Sequence, residues 1–350
     1  MDLLSLTRDE LKGELEQLGE PKFRAAQICN WIYQRRAKTF EQMTDLPAVL
    51  RTEFSERFAL RPLARVKETG SKDTTRKFLF RLHDGQMIET VLIPASPALY
   101  GERADRRTVC ISSQVGCAYG CKFCASGLGG LKRNLTAGEI VAQFLAVEEL
   151  SEEKINNIVF MGMGEPLANY DNLMRAIGIL NAPWGVGLGA RNMTVSTSGL
   201  VPRIRDFADQ PLQVRLAISL HGATDAVRAK IMPINRKYPL SELLEACEYY
   251  STRKNQHLTF EHILIRDVND ADEQALALAK HAGRLRAKVN LIPYNTVDGL
   301  DWQRPSEAVQ DRFLSLLRTR GISATLRREK GHDIAAACGQ LRLQEVSRSS

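Results

Sequence analysis

A chain of 350 residues with 44% hydrophobic side chains can build one large α/β domain and a smaller accessory one, and it needs no disulfide staples to hold a core. Its formal charge of +7 favours a polyanionic partner without requiring one, because so mild an excess also serves plain solubility. The start MDLLSLTRDELKGELEQLGE is broken by charge, and no stretch of about 18 apolar residues follows, so the chain is expected in the cytoplasm, with neither leader nor membrane span.

In chain order, residues 1–60 read as helices: LTRDELKGELEQLG, KFRAAQICNWIYQRR and LPAVLRTEFSERFAL. The second gathers Phe23, Ile28, Trp31 and Ile32 toward one face. Residues 61–103 change texture to alternating strands, with TTRKFLFRL and MIETVLI flanking HDGQ, where Asp84 and Gly85 signal a hairpin turn. ASPALYGERADRR reads as a loop.

Residues 104–340 alternate short apolar runs with helical patterns. The runs are TVCISS, NNIVFMGM, NMTVSTS, VRLAISLH, LTFEHILI, AKVNLIPY and ISATLRR; the helices include TAGEIVAQFLAVEEL, SELLEACEYYSTR, DEQALALAKHAG and SEAVQDRFLSLLRTRG. This repeat predicts an α/β fold, a partial (β/α)6 barrel whose chemistry sits just after the strands. Residues 341–350 remain as a tail ending in SRSS.

Four of the seven cysteines fall together: Cys110, Cys117, Cys121 and Cys124. In a reducing compartment such spacing indicates metal or catalysis more than disulfides. A structural zinc site closes its tetrahedron with a second ligand pair, and none follows CAYGCKFC. Three thiolates can instead hold three corners of a 4Fe-4S cluster and leave one iron open for chemistry, with Phe123 as a shield or as ordinary loop packing. Cys29 and Cys247 sit in helices among apolar neighbours and read as core residues.

The CxxxCxΦC pattern, Φ being Phe123, matches the radical S-adenosylmethionine (SAM) superfamily, which this chain resembles. The resemblance extends to later strand ends. Gly162, Gly164 and Glu165 in FMGMGEP are similar to the glycine-rich segment that meets the cofactor's amino group. Ser196, then Ser219, Leu220 and His221, and finally Asn295 stand where a ribose, carboxylate or adenine would bind. Singly, each is a weak signal, and a lone glycine pair usually means only a turn.

CISSQVGC, LKRNLT, FMGMGEPLAN, STSG, ISLH, MPINRKYP, VND, NLIPYN and AACGQL together make the chain resemble one branch, the RlmN/Cfr family of RNA adenosine methyltransferases. The resemblance implies that residues 1–60 form an accessory RNA-binding domain. It implies two SAM molecules per turnover. The first methylates Cys338; the second, cleaved at the cluster, yields a radical that takes hydrogen from that methyl group. The methylene then joins adenine, Glu89 accepts a proton, and Cys110 attacks the Cys338 sulfur to release methylated RNA and leave a disulfide.

Pro166 and Ser198 follow the pattern of carbon-2 rather than carbon-8 methylation. The implied substrates are 23S rRNA at the peptidyl-transferase centre and tRNA beside the anticodon. The implied electron donor is of flavodoxin type, and the protein is expected to be a monomer with no membrane partner. The basic runs RADRR, LKRN and TLRREK are candidate phosphate contacts, although charge runs are usually solvated faces. The rival from another class is a noncatalytic iron-sulfur or zinc RNA-binding module, which gives no reason for Glu165, Ser196 and Asn295 at strand ends.

Overall fold

The computed structural model of the chain describes residues 2–95, 106–297, 299–327 and 331–341. Most of the expected loop after residue 94, the end of TLRREK and residues 342–350 of the tail lie outside the described residues.

Three helices open the chain: α1 (Arg8–Gln17), α2 (Arg24–Tyr33) and α3 (Ala48–Arg57). Thr7 starts the first through a capping box, its hydroxyl accepting from Glu10 N while Glu10 Oε2 accepts from Thr7 N at 2.8 Å. Ile28 and Ile32 of α2 are buried as patterned. Phe23 is not: it precedes the helix, is 61% exposed and lies against the Arg24 guanidinium.

The expected hairpin forms between β2 (Arg76–Arg81) and β3 (Met87–Pro94), with Gly85 at φ +81° in the turn. A further strand, β1 (Ala64–Gly70), pairs antiparallel with β2. This meander joins the barrel sheet directly, because β3 pairs antiparallel with β4 (Arg107–Cys110).

From β4 the pairing turns parallel, through β7 (Asn157–Phe160), β8 (Met193–Thr197), β9 (Arg215–Ser219), β10 (Thr259–Leu264) and β11 (Lys288–Pro293), which completes the six expected barrel strands. A three-residue strand, β12 (Ala324–Leu326), continues the series in register with β11. The ten-stranded order β1-β2-β3-β4-β7-β8-β9-β10-β11-β12 has β1 and β12 at its edges, so the barrel is open. A separate ribbon, β5 (Gln114–Gly116) with β6 (Leu131–Asn134), carries the cysteine loop between its strands.

Helices α4 (Ala137–Ser151), α5 (Tyr170–Asn181), α6 (Val201–Asp209), α7 (Asp225–Ile231), α8 (Leu240–Lys254), α9 (Asp272–Leu285) and α10 (Glu307–Thr319) cover the sheet. Sequence patterning picks out α4, α8, α9 and α10 but not α5 to α7. Of these, α6 begins on Val201-Pro202 and α7 has only seven residues, too few for a periodic signal. Cys29 on α2 and Cys247 on α8 are buried in the core, as expected.

Helix α4 is buried nearly all round, so its polar residues must find partners inside. Gln143 does so: its Oε1 accepts from Ser112 N at 2.9 Å and Thr90 Oγ1 at 2.8 Å, while its Nε2 donates to Ser112 O. That clamp fixes the chain leaving β4, on the way to the cysteine loop, against β3.

Candidate active site

The cysteine loop is closed at its base by two glycines. Gly116 has φ +74°, and a Cβ there would stand 1.9 Å from Gly130 O, so only glycine lets the two ends approach. Cys117 N donates to Gly130 O across the same gap, and Lys122 N donates to Ile231 O at the end of α7. Cys117, Cys121 and Cys124 line one cavity of about 140 Å³ together with Tyr119 and Phe123. Phe123 meets the His221 ring edge-on, with centroids 4.6 Å apart.

Burial pushes the Cys117 thiol up to about 12 and drives Cys121 and Cys124 upward as well. Bare thiolates would be costly here, so a set of three needs a positive group to hold it. Among the described residues no three His, Cys, Asp or Glu side chains converge tightly enough for one metal ion. A cluster asks for a different arrangement, one thiolate per iron around a shared cavity, and the soft three-sulfur donor set fits it.

The second wall is built by strand ends. Gly162 and Gly164 follow β7, and both face neighbouring backbone too closely for a side chain: a Cβ at Gly162 would lie 2.7 Å from Ser112 N, and Gly164 has φ +98°. The turn aims Glu165 inward, where it is 3% exposed. Its Oε2 accepts from Ser198 N at 2.7 Å and its Oε1 from Leu167 N at 3.1 Å. Desolvation outweighs these bonds and raises its pKa.

Ser196 at the end of β8 and Ser219 at the end of β9 bring their hydroxyls within 3.4 Å of each other on the cavity wall. His221 sits in the left-handed region at φ +56°, and its Nδ1 accepts from Ile263 N at 3.0 Å. That bond assigns the proton to Nε2, and burial lowers the pKa well below 6.5, so the imidazole is neutral. Leu220 is fully buried and contributes backbone, its N donating to Glu261 O and its carbonyl accepting from Arg228.

Asn295 takes a different place. Its Nδ2 donates to Cys338 O at 3.1 Å and its Oδ1 accepts from Arg304 at 3.3 Å, and it lines a neighbouring cavity instead of the first.

That neighbouring cavity, about 80 Å³, is lined by Cys110, Arg327 and Cys338 among others, and Cys338 lines the first cavity too. The Cys338 segment is tied to the cysteine loop twice, by Ala125 N donating to Gly339 O at 2.7 Å and by Ser126 Oγ donating to Leu341 O at 2.7 Å. Arg327 Nη1 lies 3.5 Å from Cys338 Sγ. Burial pushes the Cys110 thiol up to about 12; Cys338 adds to that rise and Arg327 opposes it.

Glu89 stands on β3, 5% exposed and outside the lining of both cavities. Lys77 Nζ lies 2.9 Å from its carboxylate and also donates to Ala335 O, which leads into the Cys338 segment.

Sequence reading missed several residues of this site. Gln114 Oε1 accepts from Glu165 N at 2.8 Å, Glu261 lines the first cavity with its carboxylate on Asn290 Nδ2 at 2.7 Å, and Arg228 binds the backbone behind the wall. The signal for Glu261 was a carboxylate inside the apolar run LTFEHILI, which a buried strand does not carry without cause. Each of the three basic runs also gives one arginine to an internal partner. Arg133 of LKRN pairs with Asp84 at 2.6 Å and Glu139 at 2.8 Å, Arg107 of RADRR pairs with Glu153, and Arg327 of TLRREK turns to Cys338.

An open parallel barrel with three cysteines after its first strand and a glycine-glutamate turn after its second defines a radical SAM enzyme. Residues 111–279 match the radical SAM superfamily model, and residues 1–60 match the ribosomal RNA large subunit methyltransferase N-terminal domain. The chain is 56% identical to a probable dual-specificity RNA methyltransferase RlmN 3 of Opitutus terrae, over 97% of this chain and 93% of that one. It is 52% identical to a probable dual-specificity RNA methyltransferase RlmN of Akkermansia muciniphila, over 98% and 96%. The crystal structure of a radical SAM methyltransferase from Sphaerobacter thermophilus superposes with a TM-score of 0.93 at 48% identity, covering 98% of this chain and 99% of that one. The chain belongs to the RlmN family of radical SAM methyltransferases.

Proposed function

We propose that this protein methylates carbon 2 of adenosine in 23S rRNA and in tRNA, through a methyl group carried on Cys338. The observation that carries the reading is the position of Cys338: one sulfur borders both the cavity of the three motif cysteines and the cavity of Cys110. A carrier that must first give up hydrogen and then be resolved by a thiol needs both neighbours.

A 4Fe-4S cluster on Cys117, Cys121 and Cys124 would supply reductive cleavage of SAM and hence hydrogen-atom abstraction. Glu165 would bind the cofactor's ammonium, with Gly164 bringing backbone close to it. Ser196, Ser219 and His221 would line the rest of that pocket, Leu220 would hold its strand end through backbone bonds, and Asn295 would serve it indirectly by fixing the Cys338 carbonyl. Glu89 would accept the adenine proton. The adduct radical would give up its odd electron when Glu89 takes the ring proton. Cys110, as thiolate, would then attack the Cys338 sulfur, so that the S–S bond forms, the carbon–sulfur bond breaks and the released carbon takes a proton to become the methyl group, with sulfur as the site of attack as in disulfide exchange. An external two-electron dithiol reductant must reopen the disulfide. Residues 1–60 serve as the RNA-binding unit, and a flavodoxin-type donor supplies electrons.

The two lone thiols give opposite results when removed. Cys110→Ala is expected to accumulate a covalent RNA adduct, seen as a nuclease-sensitive shift on a denaturing gel and mapping to the Cys338 peptide. Cys338→Ala is expected to form none. Release of methylated RNA by Cys110→Ala at a near-normal rate would sink the two-thiol reading. Nucleoside mass spectrometry of wild-type product is expected to show 2-methyladenosine, and predominant 8-methyladenosine would overturn the choice of carbon.

A further inference from the structure

Lys77 is a cation to which the proposed chemistry gives no task. It stands on β2, where its Nζ lies 2.9 Å from Glu89 Oε1 with both side chains largely out of water, and it also donates to Ala335 O at 3.2 Å. One ammonium thus touches both the proposed base on β3 and the segment that carries Cys338.

The sheet register explains the meeting. Lys77 pairs with Val91 on β3, and Val91 pairs with Cys110 on β4, so the three side chains share one row on one face. Glu89, two residues before Val91, shares that face. The Cys338 segment covers it, since Val91, Cys110, Ala336 and Leu341 form one apolar cluster. The turn between β1 and β2 grips the start of the same segment: Ser71 Oγ donates to Asp333 Oδ1 at 2.6 Å, Gly331 N donates to Asp73 Oδ2 at 2.8 Å, and a Cβ at Gly331 would stand 2.9 Å from Thr75. The end of the segment is held by Ala125 and Ser126 of the cysteine loop. Lys77 binds between these anchors, three residues before Cys338.

We propose that Lys77 is a positioning residue of the methylation reaction: its ammonium keeps the Glu89 carboxylate ionised and so able to take a proton, and its bond to Ala335 O sets the Cys338 segment against that base. The proposal rests on the reading of Glu89 as proton acceptor and Cys338 as methyl carrier. Without the ammonium, a buried carboxylate gains by taking a proton from water, and a carboxylic acid cannot serve as the base. An adduct that keeps its ring proton then persists.

The test uses the full chain reconstituted anaerobically as wild type, Lys77→Met, Lys77→Arg and Glu89→Gln, each given SAM and protein-free 23S rRNA for a single turnover. Denaturing gels of quenched samples follow the covalent adduct from formation to release, and hydrogen–deuterium exchange of the RNA-free proteins follows the peptide 331–341. Lys77→Met is expected to form the adduct but resolve it about tenfold or more slowly, short of the roughly hundredfold or more that a general base supplies, because Glu89 is still present. Its 331–341 peptide is expected to exchange faster than in wild type. Lys77→Arg keeps the charge and is expected to recover most of both. Resolution at the wild-type rate by Lys77→Met overturns the proposal, and so does unchanged exchange of the segment. Equal slowing in Lys77→Arg and Lys77→Met also overturns it, since shape and not charge would be the cause. Should Lys77→Met fail to fold, Lys77→Gln takes its place, and failure of both overturns the proposal by assigning Lys77 to stability alone. Glu89→Gln, with Lys77 intact, isolates the reading beneath: resolution at the wild-type rate by that variant removes Glu89 as the base, whatever Lys77 does.

Discussion

Glu165 is a buried carboxylate on the wall of the cysteine cavity, and the proposed ammonium contact can be tested on it. It is buried with two backbone N–H donors, at 2.7 and 3.1 Å, and desolvation still raises its pKa above the ordinary 4.5. Because the folded value is raised, ionisation costs the ligand-free fold stability as pH rises from 4.5 through that value. A bound ammonium reverses the sign. SAM affinity is therefore expected to grow as pH rises through the same window, measured by equilibrium binding. Glu165→Gln is expected to bind roughly ten- to a hundredfold more weakly, the worth of a charge-assisted hydrogen bond, and to lose that pH dependence. If the glutamine variant keeps both affinity and slope, the ammonium is held elsewhere.

Helix α4 illustrates how a boundary signal supports the site from a distance. Thr136 caps it in a reciprocal pair with Glu139: Thr136 Oγ1 accepts from Glu139 N at 3.1 Å, and Glu139 Oε2 accepts from Thr136 N at 2.9 Å. The same carboxylate takes Arg133 of β6 through two bonds of 2.8 Å, so the cap also fixes the ribbon that carries the cysteine loop. Thr136→Ala is expected to cost about 1 kcal/mol, read as a lower denaturant midpoint at unchanged slope. Thr136→Ser keeps the hydroxyl and is expected to recover most of it; equal loss in both would assign the effect to the methyl group's packing.

Across the whole molecule, the helices of residues 1–60 dock on the barrel through polar pins. Ser5 Oγ accepts from Gly138 N at 2.8 Å, Gln34 Nε2 donates to Gly185 O at 2.8 Å, and Arg36 pairs with Glu148. A Cβ at Gly138 would stand 1.9 Å from the Asp2 carboxylate, so a side chain there would displace Asp2. No helix among the described residues is long and apolar enough to cross a membrane. The excess of +7 charges is left to act at the surface, and RNA affinity is expected to fall steeply with salt. Even two or three phosphate contacts would weaken binding by roughly tenfold or more between about 50 and 200 mM. A filter-binding series checks this, and a flat response would mean that binding depends on something other than phosphate.

The sequence by itself determined what is local. Period and spacing located the strands, the turn at Gly85 and four of the barrel helices, because a helix face or a two-residue turn is decided by neighbours in the chain. CAYGCKFC was legible for the same reason, since its three thiols share one loop. Short helices such as α7 and the ribbon of β5 and β6 left no such trace, being held by packing instead of pattern. Only the tertiary structure decided the long-range matters. It hydrogen-bonded the Cys338 segment to the cysteine loop, set Asn295 on the second cavity with its amide on the Cys338 carbonyl, and spent Arg133 and Arg327 on internal partners. It also buried Arg228 among neutral acceptors. Such choices depend on where distant segments end once the sheet has assembled, and a charge or amide looks the same in sequence whether it faces water or a buried sulfur.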